Sequence, residues 1–176
     1  LSAEKYIREH YRKGGWRIFG LAYLTFLIFN LGTTWWVWNA SAVGAIMAFV
    51  FNTLFMALLF WLYSQTKRFI GERLALPALI VYWLAFEYLH LNWELTWPWL
   101  NLGNVFALFP ETIQWYEYTG VQGGTFWILV ANILIFRLFK KANWSKKPME
   151  YLTKYRKDWL IVKLFAIIPL LISLVM

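Results

Sequence analysis

The sequence is 176 residues long, 61% hydrophobic and 22% aromatic, with 13 Trp, 15% charged residues and a formal charge of +8. Soluble domains are closer to about 45–50% apolar and could not bury this much apolar surface, so a water-soluble globule is excluded and a bilayer is implied. The chain has no cysteine, which removes disulfides, thiolate metal sites and a cysteine nucleophile from these residues.

The chain opens Leu1-Ser2-Ala3-Glu4 without an initiator Met, and its first apolar run is too long for a signal peptide. It stops at Met176 inside another apolar run, so it is read as a piece of a longer membrane protein, a transmembrane domain covering 1–176. Residues 1–15 read as a short interfacial helix. From Ile18 to Thr66 no residue is charged, more than twice the roughly 20 residues that cross the hydrocarbon once. The polar break Asn39-Ala40-Ser41 divides that stretch into spans near Trp16–Trp38 and Ala42–Tyr63. A third span is expected over Leu74–Leu91, a fourth over Gly120–Phe139 and a fifth from Trp159 onward. Pro148 begins a second interfacial helix, with Met149, Leu152, Tyr155 and Trp159 at helical spacing. Backbone polar groups in lipid must be satisfied within their own segment, and the apolar runs are continuous rather than alternating. The expected fold is therefore all-α, a polytopic transmembrane helix bundle of about five spans with short interfacial helices.

The charges fit that count. All 17 Lys and Arg fall before or at the start of span one, between spans two and three, or around the segment joining spans four and five. Five alternating spans put these three segments on one side, which the positive-inside rule makes cytoplasmic. The segment 92–119 is then periplasmic, holding Glu94, Glu111 and Glu117 and no base. Short basic blocks between apolar runs suit anionic headgroups, so the lipid bilayer is the expected partner and nucleic acid is not.

The outer segment carries most of the chemistry. Pro98 and Pro110 interrupt helices there, and Trp93, Trp97, Trp99, Trp115, Tyr116 and Tyr118 form the aromatic set of a membrane interface. Glu87, His90 and Glu94 recur at i, i+3 and i+7 and share a face if the helix persists. A divalent metal site and an acid–base pair remain open readings of those three. The simpler one keeps Glu87 near the interface, five residues and about 7 Å from Asn92. Asn30, Asn52 and Asn132 sit inside spans and read as interhelical hydrogen-bonding groups.

Phe86-Glu87-Tyr88-Leu89 ends a span; Trp97-Pro98-Trp99-Leu100-Asn101-Leu102-Gly103 follows, then Ile113-Gln114-Trp115-Tyr116-Glu117-Tyr118-Thr119-Gly120, and Gly123-Gly124-Thr125 opens the next span. In order and spacing this set resembles the apolipoprotein N-acyltransferases, whose (F/W)-P-W-L-x-x-G motif matches 97–103. Asn30-Leu31-Gly32-Thr33-Thr34-Trp35-Trp36 resembles the family's Thr/Trp-rich span end. Many members have Arg at the position of His90 and Tyr at that of Asn104.

The resemblance implies an enzyme that moves an acyl chain from a membrane phospholipid donor to a diacylglyceryl apolipoprotein acceptor, at the outer face of the bacterial inner membrane. It implies a periplasmic nitrilase-like domain with a Glu-Lys-Cys triad, for which this chain has neither cysteine nor room. The chain is thus expected to be the enzyme's membrane scaffold, inactive alone, with no catalytic residue, cofactor or metal of its own. Trp97, Pro98, Trp99, Asn101 and Gly103 are expected to shape a lipid pocket, with Glu87 and His90 as polar contacts. The alternative is a stand-alone, non-enzymatic lipid-binding or transport subunit on the same scaffold.

Overall fold

The computed structural model describes residues 2–11, 14–94, 97, 100–142 and 155–176. The described residues are mainly helical and contain no strand, and five helices are long and apolar enough to cross a membrane: Gly14–Asn39, Ala42–Ile70, Glu72–Leu91, Tyr116–Lys141 and Arg156–Val175. That matches the number expected from the apolar runs. The chain forms two compact units, 1–82 and 83–176, and the boundary falls inside the third of these helices.

In the first unit, a short helix α1 (Ser2–His10) precedes α2 (Gly14–Thr34), which tightens into a 3₁₀ segment at Trp35–Asn39. Ser41 then caps α3 (Ala42–Met47), its hydroxyl accepting from the Gly44 N–H at 3.1 Å. A π-helical turn over Ala48–Asn52 joins α3 to α4 (Thr53–Ile70). α2 and α4 pack antiparallel, with Trp16 stacked beside Trp61 at one end and Asn30 beside Thr53 toward the other.

The π turn has a visible companion. Asn52 Nδ2 donates to Asn30 Oδ1 at 2.7 Å, and Asn30 Nδ2 donates to Thr53 Oγ1 at 3.1 Å. Asn30, Asn52 and Thr53 are all buried. The interhelical bonding expected of Asn30 and of Asn52 is therefore present, made between the two, and it sits where the helix widens. Asn132 differs: it is exposed, and its side chain bonds the Ile128 carbonyl of its own helix at 2.9 Å.

α4 runs seven residues past the expected Tyr63, because its basic end is held. Glu4 of α1 is buried and accepts from Lys67 Nζ at 2.6 Å and from Ser64 Oγ at 3.1 Å. The expected surface helix at the N-terminus is thus anchored by a charge pair as well as by the apolar Ile7. Gly71 ends α4 with φ +81°, a conformation that glycine alone adopts cheaply, and α5 (Glu72–Leu91) begins at the next residue.

In the second unit, α5 ends at Leu91, and two 3₁₀ segments follow, Leu102–Phe106 and Pro110–Thr112. α6 spans Tyr116–Ala142 and breaks at Gly120, whose φ is +66°. α7 (Arg156–Val175) packs on α6, where Trp127 Nε1 donates to the Phe165 carbonyl at 2.9 Å. The expected interfacial helix from Pro148 falls largely on 143–154, outside the described residues. Its Trp159 belongs to α7.

Candidate functional site

An irregular segment in lipid must have its backbone groups satisfied by something other than a helix ladder. In the second unit that something is Glu87. Its carboxylate lies on the last turns of α5, only 2% exposed. Oε1 accepts from the Leu102 backbone N–H at 2.9 Å and from Trp83 Nε1, one turn earlier, at 3.1 Å. Oε2 accepts from Thr125 Oγ1 at 2.6 Å. The threonine hydroxyl in turn accepts from the Gly103 N–H at 2.9 Å. Two successive loop amides are therefore tied, one directly and one through Thr125, to a single buried carboxylate.

The loop is held from its other side as well. Tyr116, in the first turn of α6, donates its hydroxyl to the Gly103 carbonyl at 3.0 Å. Gly103 lies so close to α6 that a Cβ there would run into the Val121 carbonyl oxygen. A Cβ on Gly124 would meet the Tyr116 hydroxyl. Both glycines are what lets the loop, the tyrosine ring and the helix come together. Phe106 and Trp115 then pack against Trp127, with ring centroids 5.3 and 5.9 Å away.

His90 sits one turn beyond Glu87 in an aromatic cage. Its ring lies 4.7 Å from that of Phe86, 5.1 Å from Trp93 and 5.4 Å from Trp97. Both His90 and Trp97 are buried.

The expected site residues separate accordingly. Glu87 and Gly103 meet across the Leu102 and Thr125 bonds, while His90 and Trp97 form a neighbouring aromatic cluster. Asn101 is buried just before the 3₁₀ segment, its carbonyl accepting from the Asn104 N–H at 3.0 Å. Pro98 and Trp99 lie outside the described residues. The helical face proposed for Glu87, His90 and Glu94 does not extend to its third member, because α5 stops at Leu91. Among the described residues no cluster of three or more His, Asp or Glu could hold a metal ion. The aromatic belt is also divided. Tyr118 is 79% and Trp93 39% exposed, as interfacial anchors would be, but Trp97 is packed inside.

Sequence reasoning did not single out Thr125 or Trp83 as partners of the glutamate, or Tyr116 as the donor to the Gly103 carbonyl. Thr125 stood in the Gly123-Gly124-Thr125 motif that opens the fourth span, and that was the available signal.

The family model described as the apolipoprotein N-acyltransferase N-terminal domain matches residues 7–134. The chain is also similar to a curated protein named apolipoprotein N-acyltransferase from Chlorobaculum tepidum, 32% identical over 135 residues. The alignment covers 77% of this chain and 25% of that protein, so the chain spans about a quarter of its relative's length. No solved structure matches. The family match runs through most of the chain and takes in Glu87, Gly103, Tyr116 and Thr125, and on that ground the chain belongs to the apolipoprotein N-acyltransferase family.

Proposed function

We propose that this chain is the membrane scaffold of an apolipoprotein N-acyltransferase and that the Glu87-tethered loop positions lipid-linked substrates at the outer face of the bacterial inner membrane. The reaction served is the transfer of an acyl chain from a phospholipid to the N-terminal diacylglyceryl-cysteine of a lipoprotein. The observation that carries the reading is the tether itself: Glu87 and Thr125 hold the Leu102 and Gly103 amides. A loop fixed in this way restricts how a headgroup or a diacylglyceryl chain approaches, which is rate enhancement by orientation. In this reading Trp97, Pro98, Trp99, Asn101 and Gly103 shape the seat, with His90, whose ring packs on Trp97, as a polar contact. Glu87 is a positioning residue, since its carboxylate oxygens are engaged by protein donors.

The nucleophile belongs to a part of the enzyme outside these residues, which hold no cysteine. The chain alone therefore forms no acyl-enzyme. The basic segments face the cytoplasm and 92–119 faces the periplasm, as the distribution of Lys and Arg supports.

Glu87→Gln in the full-length enzyme tests the reading. A glutamine can still accept from Leu102 and Trp83, but its amide N–H₂ faces Thr125 and leaves that hydroxyl proton without its acceptor. Acyl transfer is expected to fall at least about tenfold while insertion and expression persist, the loss of one buried charge-assisted bond. Full transfer in that variant, or in Trp99→Ala, would remove the loop from the reaction. Acylation of the isolated chain would overturn the scaffold reading.

A further inference from the structure

The first unit carries a basic cavity that the substrate reading does not use. α1 lies across the paired ends of α2 and α4, where Arg8 donates to Ser64 Oγ at 2.7 Å and to Gln65 Oε1 at 3.2 Å. These bonds, with an ion pair from Nε to the buried Glu4 of the same helix at 3.5 Å, fix its guanidinium in place. Beside it opens a cavity of about 530 Å³. Arg8, Glu9 and His10 of α1, Tyr11 just after it, and Gln65 and Arg68 of α4 line the space, and the first turn of α2 closes it. Two guanidinium groups and an imidazole thus face one carboxylate among the described lining residues. Arg68 is exposed, lies 5.9 Å from the Phe69 ring and makes no ion pair among the described residues.

The cavity's level relative to a bilayer follows from its neighbours. It sits where two membrane-length helices, Gly14–Asn39 and Ala42–Ile70, start and finish. Trp16 in the first turn of one and Phe69 in the last turn of the other are 73% and 79% exposed. Exposed aromatic residues at the ends of such helices mark the boundary between acyl chains and headgroups.

We propose that this cavity binds the phosphate of an anionic phospholipid headgroup between Arg8 and Arg68. Arginine presents a planar fork of donors that matches phosphate oxygens, and basic pockets between membrane helices bind anionic headgroups in this way. The size is that of a small-molecule site. A free phosphate ion offers the same chemistry, but the headgroup-level opening assigns the bilayer as the source. The site stands independently of any role of the Trp-rich loop in catalysis.

Native mass spectrometry of the full chain in non-ionic detergent tests this, with short-chain phosphatidylglycerol, phosphatidylcholine and inorganic phosphate as the probes. Phosphatidylglycerol is expected to be retained in preference to phosphatidylcholine. Arg68→Gln, on an exposed side chain, is expected to weaken that retention about tenfold, and Arg68→Lys to keep more of it. Arg73→Gln, an exposed base outside the cavity, is the control and should change nothing. Equal retention of the two lipids, or an equal loss from Arg73→Gln, would reduce the cavity to general surface charge and overturn the proposal. Displacement of phosphatidylglycerol by an equal concentration of inorganic phosphate would overturn the lipid assignment in favour of the free ion.

Discussion

The buried polar groups of the two units join different kinds of backbone. In the first, Asn30 and Asn52 bond side chain to side chain across two helices, at the π-helical turn that ends on Asn52. In the second, Glu87 and Thr125 bond the N–H groups of Leu102 and Gly103, which belong to a segment between α5 and α6. A neutral amide pair is enough for the first task. Its loss leaves two side chains to be repacked and no backbone group stranded. The second task needs an acceptor strong enough to replace a helix ladder, and an ionisable oxygen pair with several donors supplies it. The same chemical theme, a polar cluster inside an apolar helical unit, therefore carries unequal consequences when broken.

The largest effect is expected from Glu87→Ala. It removes the acceptor of three donors at once and leaves Leu102 N–H, Trp83 Nε1 and Thr125 Oγ1 buried. Each stranded group costs about 1–3 kcal/mol, and the losses overlap because the groups share one site. A destabilisation above about 3 kcal/mol is expected, visible as a drop in melting temperature in detergent and as faster chymotrypsin cleavage within 100–118. A loop as resistant to cleavage as wild type would show that the tether does not hold it, and the contrast between the two units would collapse.

Gly103→Ala comes next, since the added methyl has no space short of the Val121 carbonyl. Overpacking of this kind costs about 1–3 kcal/mol. The second expectation is positional: Tyr116 must separate from the Gly103 carbonyl, so its hydroxyl should gain solvent access, measurable as an ultraviolet difference spectrum. Wild-type stability together with an unchanged tyrosine spectrum would mean that the close approach of loop and helix is not required.

The helices were legible and the tether was not, for physical reasons that particular residues make plain. A membrane-crossing helix is specified by apolar length, a local property, and all five were placed from it. Their ends were less certain. α4 continues to Ile70 because Lys67 finds Glu4, 63 residues earlier in the chain. Gly120 was expected to open the fourth span; the helix begins at Tyr116 and the glycine marks its break. Glu87 meets Thr125 at a separation of 38 residues, which no periodicity encodes. Only the ordered motifs put both residues in one set. The proposed Glu87–His90–Glu94 face assumed a longer helix than α5. Trp97 looked like its exposed neighbours because composition marks an aromatic belt without saying which rings turn inward.

A double-mutant cycle on Asn30 and Asn52 sharpens the other side of the comparison. Side-chain hydrogen bonds between membrane helices average about 0.6 kcal/mol and reach about 1.7. The coupling between Asn30→Leu and Asn52→Leu is expected in that range, with the double variant less destabilised than the sum of the singles. Asn52 Oδ1 has no hydrogen-bond partner among the described residues, so the Asn52→Leu change gives back part of what it removes. A coupling larger than the loss caused by Glu87→Ala would reverse the ranking of the two clusters.

The smallest effect is expected at Lys141, whose ammonium lies 2.8 Å from Asp158 Oδ2 and joins α6 to α7. The distance is short, but the lysine side chain is 52% and the aspartate 34% exposed. Exposed pairs contribute about 0–1 kcal/mol, because water screens the attraction and two long side chains lose freedom in making it. The same helices share the bond from Trp127 Nε1 to the Phe165 carbonyl, and the Trp127 ring is buried and packed on Trp115. Trp127→Phe should therefore cost more than Lys141→Ala, and the lysine effect should shrink further as salt rises and the screening length falls. If Lys141→Ala proved the more damaging change, and stayed so in high salt, the α6–α7 contact would depend on a surface charge rather than on packing, and the gradient from buried tether to exposed pair would not describe this protein.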